Sequence, residues 1–166
     1  MTWTAPEVDR PAPDLLAAER EMVTAYLTWH RTTFLRKCTG LTGQQLAERS
    51  VPPSALSLLG LIRHLAGVER VWFRLHFAGE DTEGPGREAD FADLDPARAQ
   101  QEYEQLVEGM RRSEEIVAKA SLDDTFVYKG QTHSLRLVCF HVMQEYARHG
   151  GHADLIRERV DGTTGY

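Results

Sequence analysis

Four stretches of the chain carry apolar residues at helical spacing, and breaks rich in proline and glycine separate them. The first runs from about Asp14, a candidate N-cap, to about Cys38, with Leu16, Val23, Leu27, His30 and Phe34 on one face. The second follows Pro52-Pro53, which blocks helix continuation and holds the chain extended. Ser54 or Ser57 caps it, it ends near Phe77, and Leu58, Leu61, Leu65, Val68 and Trp72 form its stripe. The third starts at Asp95-Pro96, an N-cap followed by proline at the first helical position, and reaches about Ala120. Its apolar face is Tyr103, Leu106, Met110 and Val117. The fourth is capped by Ser134 and continues to about Val160, where Asp161-Gly162 ends it.

The segments between these patterns are polar or broken. Residues 1–13 hold Pro6, Pro11 and Pro13 and predict an extended arm. Thr39-Gly40 ends the first helix, and residues 41–51 have room for a short helical turn. Residues 79–94, with Gly79, Gly84, Pro85 and Gly86, make the longest irregular segment, either a lid over a site or a plain connection. Ser121 to His133 contains Phe126-Val127-Tyr128-Lys129-Gly130, whose glycine break predicts an irregular or hairpin-like crossover. No internal repeat is visible. The pattern as a whole predicts an all-α bundle of four long helices in one domain, residues 1–166.

The fourth helix breaks the pattern of the other three. Its stripe is Val138, Val142, Glu145, His149, His152 and Ile156, apolar at both ends and titratable in the middle. A core-facing carboxylate needs a partner or a ligand. Glu145 and His149, one helical turn apart, project from one face within reach of a single ion. A carboxylate with an imidazole suits Zn²⁺, Ni²⁺, Fe²⁺ or Mn²⁺, although most such pairs are ordinary surface salt bridges. The in-phase Val142 and Ile156 place this pair against the core. His64, mid-helix near the core face of the second pattern, is the best third donor; His141 and His152 compete for the place. Three protein ligands would leave positions open for water or substrate, as in catalytic rather than structural sites. His30 is either a satisfied core or rim histidine or part of a pocket wall. Gly150-Gly151 either stops the helix or marks a close approach of backbone or ligand, and the stripe continuing in phase to Ile156 argues for the second.

Composition narrows the function classes. A chain of 166 residues with formal charge −6 has no basic excess to neutralise phosphates, so neither nucleic acid nor an anionic membrane is an expected partner. Cys38 and Cys139 form no Cys-x-x-Cys pair and read as buried, inert thiols of a reducing compartment. The N-terminus has no basic and apolar leader, and no apolar run approaches the ~18 residues of a membrane span. A soluble cytoplasmic protein is the expectation.

Two segments together carry a family resemblance: residues 58–73 (LLGLIRHLAGVERVWF) and 145–158 (EYARHGGHADLIRE). The chain resembles the DinB-like superfamily over nearly its whole length, within it the actinobacterial mini-circle protein branch. The resemblance implies a four-helix bundle with an unusual long crossover. It also implies a divalent metal, Zn²⁺ or Ni²⁺ foremost, held by a histidine of the second helix and two ligands one turn apart on the last. Carried over, these are His64, Glu145 and His149. Many members have histidine where this chain has Glu145; a set of two histidines and a glutamate is similar to that of the mycothiol-dependent maleylpyruvate isomerases. Those carry an additional C-terminal domain, and this chain ends at Tyr166, so isomerase activity itself is not the expectation.

The implied chemistry is thiol transfer. The metal binds a small thiol such as mycothiol, lowers its pKa, and the thiolate adds to an electrophile. His152 is the candidate for proton movement, and Arg148 and His30 for orienting the cosubstrate. A homodimer is expected from family habit. Two alternatives stand beside the transferase: a non-catalytic metal-binding stress or interaction protein, and a metal-assisted hydrolase using Glu145 or His152 as base.

Overall fold

In the computed structural model, which describes residues 2–84 and 89–165, the first helical pattern becomes α1, Glu19–Cys38. It starts later than Asp14, whose carboxylate accepts from the Leu16 backbone N–H in a turn of its own. Leu16 is exposed and takes no part in the helix. Val23, Leu27, Phe34, Leu35 and Cys38 face inward. At the position between Leu27 and Phe34 it is Arg31, not His30, that is buried. A guanidinium goes inside here because Glu69 takes it in a two-pronged pair, Nε to Oε1 and Nη2 to Oε2, each at 2.7 Å. The Tyr146 hydroxyl donates to the same Glu69 Oε1 at 2.9 Å, so the network ties together the first, second and last long helices.

A short helix α2, Gly43–Ala47, forms where a turn was expected, closed by a reciprocal cap between Thr42 and Gln45. Pro52-Pro53 sits in a turn rather than an extended run, with a cis peptide. Ser57 then caps α3, Leu58–Glu69, its side chain accepting from Gly60 N–H. The chain stays helical to Phe77, as the apolar stripe predicts, but Arg70–Phe77 is wound as a π-helix. Asp95 caps a 3₁₀ turn, Pro96–Arg98, that leads into α4, Ala99–Lys119. All four expected inward residues of α4, Tyr103, Leu106, Met110 and Val117, are buried.

The crossover is a hairpin. Strand β1, Thr125–Tyr128, pairs antiparallel with β2, Gln131–Ser134. Lys129 and Gly130 make the two-residue turn, both with positive φ, 49° and 76°, which matches the right-handed twist of the strands. Ser134 caps α5, Leu135–Asp161, and Gly162 ends it in the left-handed conformation. Helix α5 passes through Gly150-Gly151 without a break, and no neighbouring atom within 4 Å occupies the place of a side chain at either glycine. Close approach by another part of the chain is therefore not the reason for them, and nothing in the structure explains the pair.

The result is an all-α bundle of the kind the resemblance implies, with α1 and α3 packed on α5 and α4 packed on α3. The N-terminal arm is docked rather than free. Ala5 is buried and exchanges backbone hydrogen bonds with Gly40 and Leu41, and Trp3 meets the Tyr103 ring edge-on. Within the long 79–94 segment, residues 85–88 lie outside the described residues. Its last part is fastened to the bundle: Arg49 donates to the Phe91 carbonyl at 2.7 Å and Arg63 to the Ala92 carbonyl at 2.8 Å. Gly60 leaves the space that the Phe91 ring fills against α3.

Candidate metal centre

Helix α3 turns His64 inward because it shares the buried face of Leu61, Leu65 and Val68. Helix α5 presents Glu145 and His149 from its own buried face, between Val142 and Ile156. Packing of α3 on α5 brings the three together, and they are 4 %, 6 % and 8 % exposed. One nitrogen or oxygen of each lies within 4.8 Å of the others. His64 Nε2 is 3.4 Å, and His149 Nε2 3.3 Å, from Glu145 Oε2. The two imidazole rings stand edge to face with centroids 4.7 Å apart.

The atoms pointing away from the cluster all have partners. His64 Nδ1 meets Asp90 Oδ2 at 3.0 Å in a buried contact. His149 Nδ1 meets His152 Nδ1 at 3.2 Å, and Glu145 Oε1 accepts from Arg148 at 3.4 Å. This fixes the tautomer of His64: Nδ1–H donates to Asp90, so Nε2 presents a lone pair to Glu145 Oε2. Two lone pairs facing each other need a positive charge between them, a proton or a metal ion. His149 Nε2 is buried and makes no hydrogen bond. An unpaired buried nitrogen beside a carboxylate is costly on its own, and it is an atom that a cation could satisfy. Two imidazoles and a carboxylate are the donor set that borderline divalent ions prefer.

Electrostatics favours the same state. Burial, with His64 alongside, lowers the His149 pKa to about 4, so at neutral pH the ring is uncharged and able to coordinate. Burial alone would raise the Glu145 pKa, but the adjoining imidazoles of His64 and His149 and the Arg148 guanidinium outweigh it, and the carboxyl lies below its ordinary value. Cys38 and Cys139 are pushed up by burial to about 12 and about 11, which makes both thiols inert as nucleophiles.

Of the other residues singled out in the sequence, His152 contacts the cluster only through His149, with ring centroids 5.2 Å apart. Arg148 is 48 % exposed at the rim. His30 is half-buried on α1 and lines neither the cluster nor the cavities beside it. Two features were missed. Asp90 lies in a polar segment where one carboxylate among several carries no signal. The other is a cavity of about 340 Å³ whose base is His64, Asp90 and Glu145 and whose wall includes Trp72, His76, Tyr128 and His141. His141 had been a competing ligand or bystander; it lines this cavity instead. Sharing Gly67, Arg70 and Asp90 with it is a polar groove of about 870 Å³, where Arg63, Arg98 and Arg112 interleave with Glu102, Glu104 and Glu108.

The family model for mycothiol-S-transferase matches residues 22–162. No curated protein matches the chain. None of the helices among the described residues is long and apolar enough to cross a membrane.

Proposed function

Since the chain belongs to the mycothiol-S-transferase family, within the DinB-like superfamily, we propose that it transfers the sulfur of a small thiol such as mycothiol to an electrophile in a detoxification reaction. In this reading a divalent ion, Zn²⁺ or Ni²⁺, is held by His64, Glu145 and His149. The observation that carries it is the convergence of three buried donors, one of them an unpaired His149 Nε2, beside two adjoining cavities, one walled by rings and one by alternating charges.

A divalent ion at these donors supplies a Lewis-acid seat that lowers the pKa of a thiol and leaves coordination positions open. The chain's residues do the rest. Asp90 holds His64 in the tautomer that frees Nε2, and His152 does the same for His149 from the far side. Arg148 offsets the charge of Glu145 Oε1 toward solvent. The polar groove suits the hydrophilic, sugar-like body of the thiol, with carboxylates and guanidiniums in alternation for its hydroxyls. The smaller cavity takes the electrophile. As sulfur bonds to the electrophilic carbon, the thiol proton is lost; a leaving group departs with the electron pair of its bond, or an adduct takes up a proton. His141, an imidazole on the cavity wall beside Glu145, is placed to accept the thiol proton.

Metal analysis of untagged protein tests the first half. A stoichiometric divalent metal, lost in His64→Ala and His149→Ala, is expected. Conjugation of a haloarene or epoxide only in the presence of mycothiol tests the second half. Metal-free protein whose stability is unchanged in both variants would sink the metal reading. Bound metal without turnover of any electrophile would leave a non-catalytic metal-binding protein.

A further inference from the structure

The cavity over the cluster has a wall that metal binding does not require. Four rings from three elements form it. Trp72 and His76 come from the π-helical segment, Tyr128 from the end of β1, and His141 from the first half of α5. Their centroids are close: 4.4 Å for Trp72 and His141, 4.2 Å for His76 and Tyr128, 5.6 Å for Trp72 and either His76 or Tyr128. These separations are within or just below the usual range for packed rings, and the rings meet edge-on or tilted rather than in parallel stacks. All four rings are partly exposed and line the cavity, Trp72 also packing against the core.

The backbone is shaped for this arrangement. A π-helix usually occurs as a single-turn bulge and is common at functional sites, whereas here it runs for eight residues. Trp72 and His76, four residues apart in this segment, both line the cavity, while Phe73 of the same segment is fully buried in the core. Among the described residues His76 makes ring contacts with Trp72 and Tyr128 and is partly exposed. Gly67, Val68 and Val71 from the same helical run also line the cavity.

We propose that this cavity is the acceptor site and that it selects flat, aromatic electrophiles over saturated ones of similar size. The inference deepens the transferase reading and rests on it only for what happens after binding. The arenes and heteroarenes that thiolates attack are electron-poor. The faces of Trp72 and Tyr128 are electron-rich, so stacking favours such rings beyond the area they bury. A volume of about 340 Å³ lies at the small end of ligand cavities and fits a mono- or bicyclic ring system. His64 and Glu145 line the same cavity as these rings, so a ring bound there lies in one chamber with the residues beside which the sulfur would be delivered.

Equilibrium binding with two unreactive probes tests this, without thiol and on protein as purified: 2-naphthonitrile, which is flat and electron-poor, and decahydro-2-naphthonitrile, its saturated counterpart. Calorimetry is expected to show 2-naphthonitrile binding at least five times more tightly. Trp72→Leu and Tyr128→Leu are each expected to weaken 2-naphthonitrile about two- to tenfold, the value of one aromatic contact, with metal content unchanged. Tyr128 lies on the hairpin and not in the bundle core, so its variant keeps the test open if the Trp72 variant folds poorly. Equal affinity for the two bicycles, binding of neither, or full affinity in both variants overturns the inference. Selective binding without thiol conjugation would leave the acceptor site standing and remove the transferase reading.

Discussion

At the scale of single residues, Asp90 and His149 decide how the cluster behaves. Asp90 touches none of the reacting positions, yet its hydrogen bond to His64 Nδ1 selects which nitrogen faces the ion. Removing such an outer carboxylate typically lowers metal affinity 10- to 100-fold. Asp90→Ala is therefore expected to release metal to a chelator at about that much lower chelator concentration, with a melting temperature in the metal-free form close to the parent's. A metal affinity equal to the parent's would show that Asp90 is only a packing contact. For His149 the argument runs through pH. In chelator-stripped protein its pKa is about 4 against 6.5 for an unfolded histidine, and burial is the main cause. Between those values the unfolded chain takes up a proton that the folded chain refuses. Stability is then level above pH 6.5 and falls as pH drops toward 4, by about 2 kcal/mol, somewhat under the full linkage value because the ring keeps some contact with water. Denaturant melts at pH 7 and pH 4.5 check this, and His149→Asn is expected to flatten that part of the profile. Helical phase placed Glu145 and His149 on a buried stripe where ionisable groups are anomalous and left His64 flanking or facing the core, while the grouping of all three came from the family resemblance. Asp90 was not legible, because loop residues have no phase to read. Arg31 was not either: its burial depends on Glu69 and Tyr146, whose meeting is a fact of packing and not of local pattern.

At the scale of elements, the four long helices were readable from caps and stripes, and Ser57, Asp95 and Ser134 each cap where expected. The π-winding of Arg70–Phe77 was not, since eight residues hold too few apolar positions for a change of helical period to be read. The hairpin was half legible, through Gly130 alone. It has a role beyond linking α4 to α5, because its strand end carries Tyr128 to the cavity wall. Gly130 sits at φ 76°, a left-handed conformation that costs an L-residue about 1 kcal/mol or more, and no neighbouring atom lies within 4 Å of a side chain there. Gly130→Ala is therefore expected to loosen the turn by about 1 kcal/mol through backbone strain and not through collision. Faster amide exchange confined to residues 125–134, with the helices protected as before, would be the signature. Unchanged exchange there would mean that the bundle, and not the turn, holds the hairpin.

At the scale of the whole molecule, the cluster joins parts of the chain that are distant in sequence. His64 comes from α3, Asp90 from the segment after the π-helix, and Glu145 and His149 from α5. An ion bound there cross-links these elements in the folded state only, since the unfolded chain holds the donors far apart. Binding to the folded form adds RT ln(1 + [M]/Kd) to stability, about 2.7 kcal/mol at a hundred times Kd. For a chain of 166 residues, each kcal/mol moves the midpoint by about 2–4 °C, so saturating Zn²⁺ or Ni²⁺ is expected to raise Tm by about 5–10 °C. The size of the shift should depend on metal concentration, as mass action requires. It should vanish in His149→Ala and in His64→Ala, although neither substitution removes a large apolar contact. Three buried donors with no cation among them amount to a local electrostatic defect, and the folded chain should gain most from the ion that repairs it. A Tm insensitive to metal in the parent protein would mean that the donors satisfy one another through a shared proton, and the cluster would then be structural.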